Sequence, residues 1–396
     1  VTRPPHADLP GALHARVIEH VAELERLAPA WDELAVTAGC PGALSGWQLA
    51  WWRHLAPPGA RLCAIAVEDG DRLVGLAPYC VETRRGQVIY RLLAASVTHR
   101  VEPLAEPAAA AGVAAAIARA LAAASPAPDY LAFAGADAGT QWRSAIAADW
   151  PGRRPWELEE RTSSAPVIDL DQDDFEAWLA GKSKNFRQQT RRFRRRLTDA
   201  GGRVRMTSSL DELERDVATF TRLHHERWAT RGGSSLSHDV GPMLLDAGRS
   251  LLASERFRLW IVEVDKQPVS AQIFLAAGGH AIYWNGGFDA AAAELKPSLL
   301  GIIAGLEDCF VRGERRLDLG GGAQEYKQRL ADRDLPLSWS GLVPRTHSAR
   351  YARNRAALLP LQARGVARTV YRRLPPDAQQ RARALLERAA ALKPGS

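Results

Sequence analysis

The 396-residue sequence predicts an α+β protein built from two units with the same order of elements. A hairpin pattern occurs twice. The runs LCAIAV at 62–67 and LVGLA at 73–77 flank Glu68-Asp-Gly-Asp71, and the runs LWIVEV at 259–264 and VSAQIF at 269–274 flank Asp265-Lys-Gln-Pro268. Apolar strands joined by a short polar turn are the signature of an antiparallel hairpin. Each hairpin is followed by a further strand-like run, at 87–93 and at 280–286. A helix candidate comes next, at 108–124 and at 298–312, and a closing strand at 130–134 and at 315–319. The same order twice in one chain argues for duplication. It also argues for a mixed sheet flanked by helices in each unit, not a doubly wound parallel sheet. Neither a GxGxxG nor a GxxxxGK[ST] fingerprint points to the latter.

A linker is expected around 150–164, where Pro151, Gly152 and Pro155 interrupt the pattern. The expected units are therefore 1–155 and 156–343, followed by a basic helical tail over 344–396 that is broken at Pro360 and at Pro375-Pro376. Two helices open the second unit. Asp173 or Asp174 can cap the first, in which Phe175, Trp178, Leu179, Phe186, Phe193 and Leu197 keep helical spacing, with an interruption expected near 182–185 after Gly181. Ser209 and Glu212 form a capping box for the second, which places Leu213, Val217, Phe220, His224 and Trp228 on one face.

Composition narrows the class. The cysteines Cys40, Cys63, Cys80 and Cys309 are scattered without paired spacing. That pattern fits buried apolar residues in a reducing compartment, not a disulfide or zinc framework. No apolar run reaches the ~18–20 residues of a membrane span. The N-terminal residues lack a basic segment leading into an apolar block, so a cytoplasmic location is expected. The formal charge of +7 is uneven: 344–396 carries twelve Lys/Arg against Asp377 and Glu387, so the rest of the chain is about −3. A second basic block, Lys182 to Arg196, holds eight Lys/Arg and no acid. Such asymmetry suggests contact with phosphates, whether of nucleic acid, an anionic membrane surface or a phosphorylated substrate. It equally describes a solvated helix face.

Taken in order, several motifs carry a family resemblance: the basic stretch 182–196, the helix ending His224-His225-Glu226-Arg227-Trp228, and Ile282-Tyr-Trp-Asn-Gly-Gly-Phe-Asp289. Lys296-Pro-Ser-Leu-Leu300 and Leu317-Asp-Leu-Gly-Gly-Gly-Ala-Gln-Glu-Tyr-Lys327 complete the series. Together they resemble a CelD-like GNAT acetyltransferase domain, a group similar to the Fem-type aminoacyl-tRNA-dependent transferases. The resemblance covers about 165–343 well and the first unit only as a degenerate copy. It implies tandem GNAT-like units, each with a splayed sheet, that place a thioester or ester donor beside an amine acceptor.

The resemblance also assigns roles. Tyr326-Lys327 falls where Fem-type enzymes carry a Phe-Lys pair. A fixed ammonium there would stabilise the oxyanion and the anionic leaving group of acyl transfer. Asp318 would orient the acceptor amine or fix Lys327. The helix that usually receives the pyrophosphate of coenzyme A begins here Glu294-Leu-Lys-Pro-Ser298, without the Arg/Gln-x-x-Gly-x-Gly/Ala loop. Lys296 and Ser298 remain candidates for a donor phosphate. Arg187, Arg191 and Arg194 fall on one stripe, broadened by Arg192, Arg195 and Arg196, with Phe186, Phe193 and Leu197 on the opposite face, and such a helix could clamp phosphates. Trp228, Tyr283, Asn285 and Gly321 are the candidate acceptor wall, although Tyr283 and Asn285 cannot share a strand face with Trp284. His224 and His225 diverge by about 100° on a helix and are poor joint metal ligands even with His238 nearby, so no metal is expected. Either histidine could instead act as a general base.

The expectation is an N-acyltransferase that forms an amide, with no tightly bound cofactor and with aminoacyl-tRNA or acyl-CoA as co-substrate. tRNA, a small-molecule or envelope amine, and a weak anionic membrane contact through the tail are the expected partners. Two other readings compete: a catalytically inactive tandem that binds RNA, and a peripheral membrane protein.

Overall fold

The computed structural model describes residues 13–229, 234, 236, 237, 239–345, 354 and 356. The first half contains β1 (His14–Ile18), α1 (Val21–Arg26), α2 (Ala28–Thr37), α3 (Ser45–Leu55), β2 (Arg61–Asp69), β3 (Arg72–Arg84) and β4 (Gln87–Leu92). It continues through β5 (Leu104–Ala105), α4 (Ala110–Ala123), β6 (Tyr130–Asp137), α5 (Trp142–Ala148) and β7 (Trp156–Ser163). The second half contains β8 (Pro166–Asp169), α6 (Phe175–Gly181), α7 (Lys184–Asp199), β9 (Gly202–Met206), α8 (Leu210–Ala229), α9 (Val240–Leu251), β10 (Phe257–Val264), β11 (Gln267–Ala277) and β12 (His280–Phe288). It closes with α10 (Pro297–Val311), β13 (Arg316–Asp318), α11 (Glu325–Leu330), β14 (Arg333–Asp334) and β15 (Leu337–Val343). Both predicted hairpins form, as β2–β3 and β10–β11.

Two mixed sheets result. One runs β1-β2-β3-β4-β6-β15-β7, with β5 on β3, and the other β14-β8-β13-β12-β11-β10-β9. In each, one central pair is parallel, β4–β6 in the first and β12–β13 in the second. The halves also exchange strands. β8 follows β7 but inserts between β13 and β14, while β15 follows β14 but inserts between β6 and β7.

Strand pairing therefore crosses the division at 155/156, because β7 and β15 both belong to the first sheet. Much of the expected 150–164 linker is strand. The Pro-Gly turn ends at Pro155, and β7 pairs along β15 with Leu158 buried against Tyr130 and Val343. β7 is an edge strand paired only with β15; its glutamates blur the expected alternation, since Glu159 is exposed while the half-buried Glu160 accepts from the Tyr130 hydroxyl at 2.6 Å.

The helix ends follow their sequence signals. Asp174 caps α6 by accepting from Ala177 N at 2.8 Å. Ser183 caps α7 by accepting from Phe186 N at 3.2 Å, which places the interruption at 182–183. Ser209 accepts from Glu212 N at 3.3 Å, whereas the Glu212 carboxylate reaches back to Ser208, one residue earlier than a strict capping box.

One apolar cluster spans both halves, joining Trp31, Leu44 and Trp47 to Phe220, Met243, Phe257 and Ile273. Polar contacts pin the same seam: Arg256 to Asp32 at 3.1 Å, Arg53 to Asp246 at 2.9 Å, and Trp284 Nε1 donating to Val97 O at 2.8 Å. A cleft between the halves is therefore held by a shared core and not by a hinge.

Gly287 is where α8 crosses β12. A Cβ there would meet His224 N at 2.5 Å and Leu223 C at 2.7 Å, both helix backbone that cannot yield. Gly287→Ala should destabilise the fold by roughly 1–3 kcal/mol. Urea unfolding reads this, and an unchanged midpoint would show that the helix can slide.

The cysteines are free; Cys63, Cys80 and Cys309 are buried and Cys40 partly so. No helix among the described residues is long and apolar enough to cross a membrane. The basic tail and its proposed membrane contact lie almost wholly outside the described residues. Asn354 is an exception, buried with its amide donating to Asp129 Oδ1 at 2.6 Å.

Candidate active site between the halves

Pairing between β12 and β13 ends at Ile282 and Asp318, while β12 continues to Phe288. Beyond that point the second sheet is open. A cleft of about 410 Å³ occupies the opening, with Val97, His99 and Arg100 of the first half on one wall. Asp318, Gly320, Gly321, Tyr326 and Lys327 form the other. Trp228, Tyr283, Trp284 and Asn285 also line it. The expected alternation of those last three fails because β12 carries a β-bulge: Asn285 pairs with Ile273 and Tyr283 with Phe274, so Trp284 has no partner opposite it. The extra residue re-aims its neighbours and lets Tyr283, Trp284 and Asn285 all border the cleft.

Lys327 is 6% exposed. Its ammonium donates to Gly320 O at 3.2 Å and Gly321 O at 3.0 Å. Burial pulls its pKa down to about 8, partly countered by the Asp318 carboxylate. The glycine loop makes this possible: Gly320 (φ 76°) and Gly322 (φ 110°) occupy backbone space closed to most side chains, and the Gly320 and Gly321 carbonyls turn toward Lys327. Asp318 is committed elsewhere. It accepts from Gly320 N at 2.6 Å and forms an ion pair with Arg100 Nε. Arg100 in turn donates to Asp137 at 2.8 Å and to Leu335 O at 2.6 Å. Of the two roles expected for Asp318, fixing the charge environment of Lys327 matches these contacts better than holding an amine.

Tyr326 is hydrogen-bonded to Tyr283 through their hydroxyls, and burial raises both phenols, Tyr283 well above the ordinary range. Asn285 Oδ1 turns back to accept from Gly286 N at 2.9 Å. Beyond Tyr326 lies an adjoining pocket of about 220 Å³, lined by Arg227, Phe288, Lys296 and Ser298. Arg227 and Tyr326 belong to both spaces. Lys296 is left-handed (φ 53°) at the start of α10. Ser298 Oγ accepts from the buried Gln272 amide at 3.2 Å.

The arginine stripe divides. Arg187 donates to Ala180 O at 2.9 Å and Lys182 O at 2.6 Å. Arg194 pairs with Glu307 at 2.5 Å and stacks over Phe175. Arg191 and Arg195 are exposed. The first pair holds α7 in place; only the second presents free-standing charge, and none of the four borders either pocket.

His224 does not reach the cleft. It is buried and stacked on Phe220, with Nε2 2.7 Å from Ser234 Oγ and Nδ1 3.3 Å from Gly286 O. His238 lies outside the described residues, and among those described no His/Cys/Asp/Glu group could hold a metal. The imidazole that lines the cleft is His99, edge-on to Trp339 of β15, with burial pulling its pKa down to about 4. Sequence reasoning missed both His99 and Arg227. His99 comes from the half expected to be degenerate, between two strands of no recognisable motif. Arg227 was seen only as part of a helix end.

Residues 184–328 match a family model described as an acetyltransferase (GNAT) domain. The match lies wholly within the second half. Among solved structures, FemX superposes with a TM-score of 0.59 over 88% of this chain and 100% of its own, at 10% identity. The C-terminal domain of a protein described as a lysylphosphatidylglycerol synthetase from Agrobacterium fabrum gives 0.54 over 85% and 97%, at 12% identity. A conserved protein of unknown function from Bacteroides thetaiotaomicron gives 0.51 over 82% and 98%, at 10% identity. At these identities the likeness is one of fold, and it extends across both halves. No curated protein matches the sequence. The chain thus shares the fold of these structures across both halves, with the GNAT-domain match in the second.

Proposed function

We propose that the protein is an N-acyltransferase that forms an amide, and that its donor is an aminoacyl-tRNA. The observation that carries the reading is the Lys327 ammonium, desolvated yet held by two glycine carbonyls where the GNAT sheet opens. The acceptor amine attacks the ester carbonyl carbon; a C–N bond forms and the carbonyl oxygen gains charge beside Lys327. The C–O bond to the ribose then breaks, and the amine proton passes through the neutral His99 ring to the departing oxygen. A preset charge in a dry cleft is the most effective stabiliser of such an intermediate.

Two features favour tRNA over coenzyme A. Pro297 removes a backbone N–H from the first turn of α10, where a pyrophosphate loop would offer several. Arg191 and Arg195 leave exposed charge on α7 for a phosphate backbone. Lys296 and Ser298 at the second pocket support the alternative acyl-CoA donor. The deciding experiment offers charged total tRNA, with and without RNase, against a panel of acyl-CoAs. Product from an acyl-CoA that survives RNase would sink the tRNA reading, and no product from any donor would sink the enzyme reading.

His99→Gln should lower kcat by about 10²–10⁴ if the ring relays the proton. With its pKa near 4, the ring is already neutral at pH 5.5, so the wild-type rate should show no histidine limb between pH 5.5 and 7. A titration with a midpoint near 6.5 would contradict this.

A further inference from the structure

A third cavity, about 250 Å³, lies behind the active-site cleft and shares His99, Arg100 and Ile282 with it. Its walls come from both halves, with Gly39 and Cys40 facing His280 and Arg316. On β13, Arg316 and Asp318 are two residues apart and so project from the same face of the strand. Their register partners on β12 are His280 and Ile282. One continuous strip of the second sheet therefore runs from the charge centre at Asp318 and Lys327 into this cavity.

The cations along the strip differ in their partners. Arg100 is matched by Asp318, Asp137 and the Leu335 carbonyl. Arg316 is not. Its Nη2 lies 3.3 Å from His280 Nδ1, but that nitrogen is 2.8 Å from Gly39 O. A ring N–H donating to the carbonyl leaves no lone pair there for a guanidinium. Among the described residues the buried Arg316 Nε has no hydrogen-bond partner at all. A guanidinium is a five-donor fork that suits a planar oxyanion, and a partly desolvated one left without an acceptor is costly. Burial and the neighbouring Arg100 both press on its charge, and the Asp318 and Asp137 carboxylates offset them only in part.

We propose that Arg316 is the specificity-determining residue for the acceptor and binds a carboxylate on the acceptor amine. The inference rests on the N-acyltransferase reading of the adjoining cleft. The anion class follows from the walls. Glu102 and Asp137 also line the cavity, which disfavours a dianionic phosphate; burial raises the Glu102 pKa and so eases the entry of a single negative charge. The spacing follows from the strand: two residues of β-structure separate the anchor from Asp318 by about 6–7 Å. Acceptors that carry amine and carboxylate some way apart, such as ω-amino acids or a side-chain amine on an amino acid, fit this span. Simple alkylamines leave the fork empty.

The test pairs turnover with direct binding. Glycine, 4-aminobutyrate, 5-aminovalerate and lysine are titrated by calorimetry into the full chain, alongside butylamine and cadaverine. 4-Aminobutyrate, 5-aminovalerate and lysine should bind the wild type, and glycine should bind more weakly because its amine and carboxylate are too close for the span. Binding should fall about tenfold or more in Arg316→Met, with Arg316→Lys intermediate because it keeps charge without the fork. Thermal unfolding of each variant checks that it folds. With whichever donor proves active, the same substitution should raise KM for the acceptor and leave kcat within about twofold, the mark of lost ground-state binding. Equal binding of carboxylates and plain amines, retained binding in Arg316→Met, or no carboxylate-dependent binding across the panel would each overturn the assignment. Arg316-dependent binding without transfer from any donor would instead remove the acyltransferase reading and leave the carboxylate site standing.

Discussion

Lys327→Met is expected to lose about 10²–10³ in kcat while the protein becomes no less stable. The two effects share one cause. In the folded chain the Lys327 pKa falls from the ordinary 10.5 to about 8, so its protonated form is disfavoured by burial and the folded state binds fewer protons than the unfolded state between those values. Stability of the wild type should therefore rise with pH across about 8 to 10.5. At neutral pH the buried charge costs on the order of 3 kcal/mol. Methionine removes that cost but leaves the Gly320 and Gly321 carbonyls without their donor, at about 1 kcal/mol each. The balance is near neutral or slightly favourable. Activity moves the opposite way. If the ammonium is the working form, the rate falls as pH rises through about 8; a lysine acting as a neutral base would make it climb there. Lys327→Arg keeps the charge at any accessible pH, so its alkaline limb should disappear even if its maximum rate is lower. A methionine variant that retains full turnover would end the case for this residue.

Much of the second half was legible in the sequence because its signals are local. The hairpin at β10–β11, the caps at Asp174 and Ser209, and the 3.6-residue spacing of Phe186, Phe193 and Leu197 are each set within a turn or two of chain. What could not be read is created by contact between distant segments. In α3, every residue from Ser45 to Trp51 is buried, because that helix lies between the halves; it has no polar face and therefore no amphipathic period to detect. The bulge at Trp284 exists because β11 and β12 pair out of step, which no property of Tyr283-Trp284-Asn285 announces. The strand exchange hid β7 in what looks like a Pro-Gly linker, since its partner β15 lies some 180 residues later. The same separation explains the site. Tyr326 and Lys327 could be found by their motif, whereas His99 and Arg100 enter it only through docking of the halves.

That docking is tested by Arg100 and Asp318, where the second large effect is expected. The two are 8% and 3% exposed, and their ion pair links a loop of the first half to β13 of the second. Asp318→Asn should destabilise the protein by about 3–5 kcal/mol, because it leaves a buried guanidinium with only Asp137 and a carbonyl. Arg100→Met should cost a similar amount by stranding the carboxylate. The double variant Arg100→Met/Asp318→Asn should be less unstable than the sum of the singles by at least ~2 kcal/mol, as expected when two groups share one interaction. Denaturant unfolding of the cycle measures this directly, and simple additivity would mean that the pair is not what binds the halves at this point. The same substitution carries a catalytic signature that structural damage alone would not produce. Asp318 raises the Lys327 pKa, so removing its charge lowers that pKa below about 8. The alkaline limb of the Asp318→Asn pH profile should shift to lower pH at a temperature where the variant remains folded. An unmoved limb would separate Asp318 from the lysine and leave it a purely architectural residue. A shifted one would join the seam between the halves to the charge that the chemistry uses.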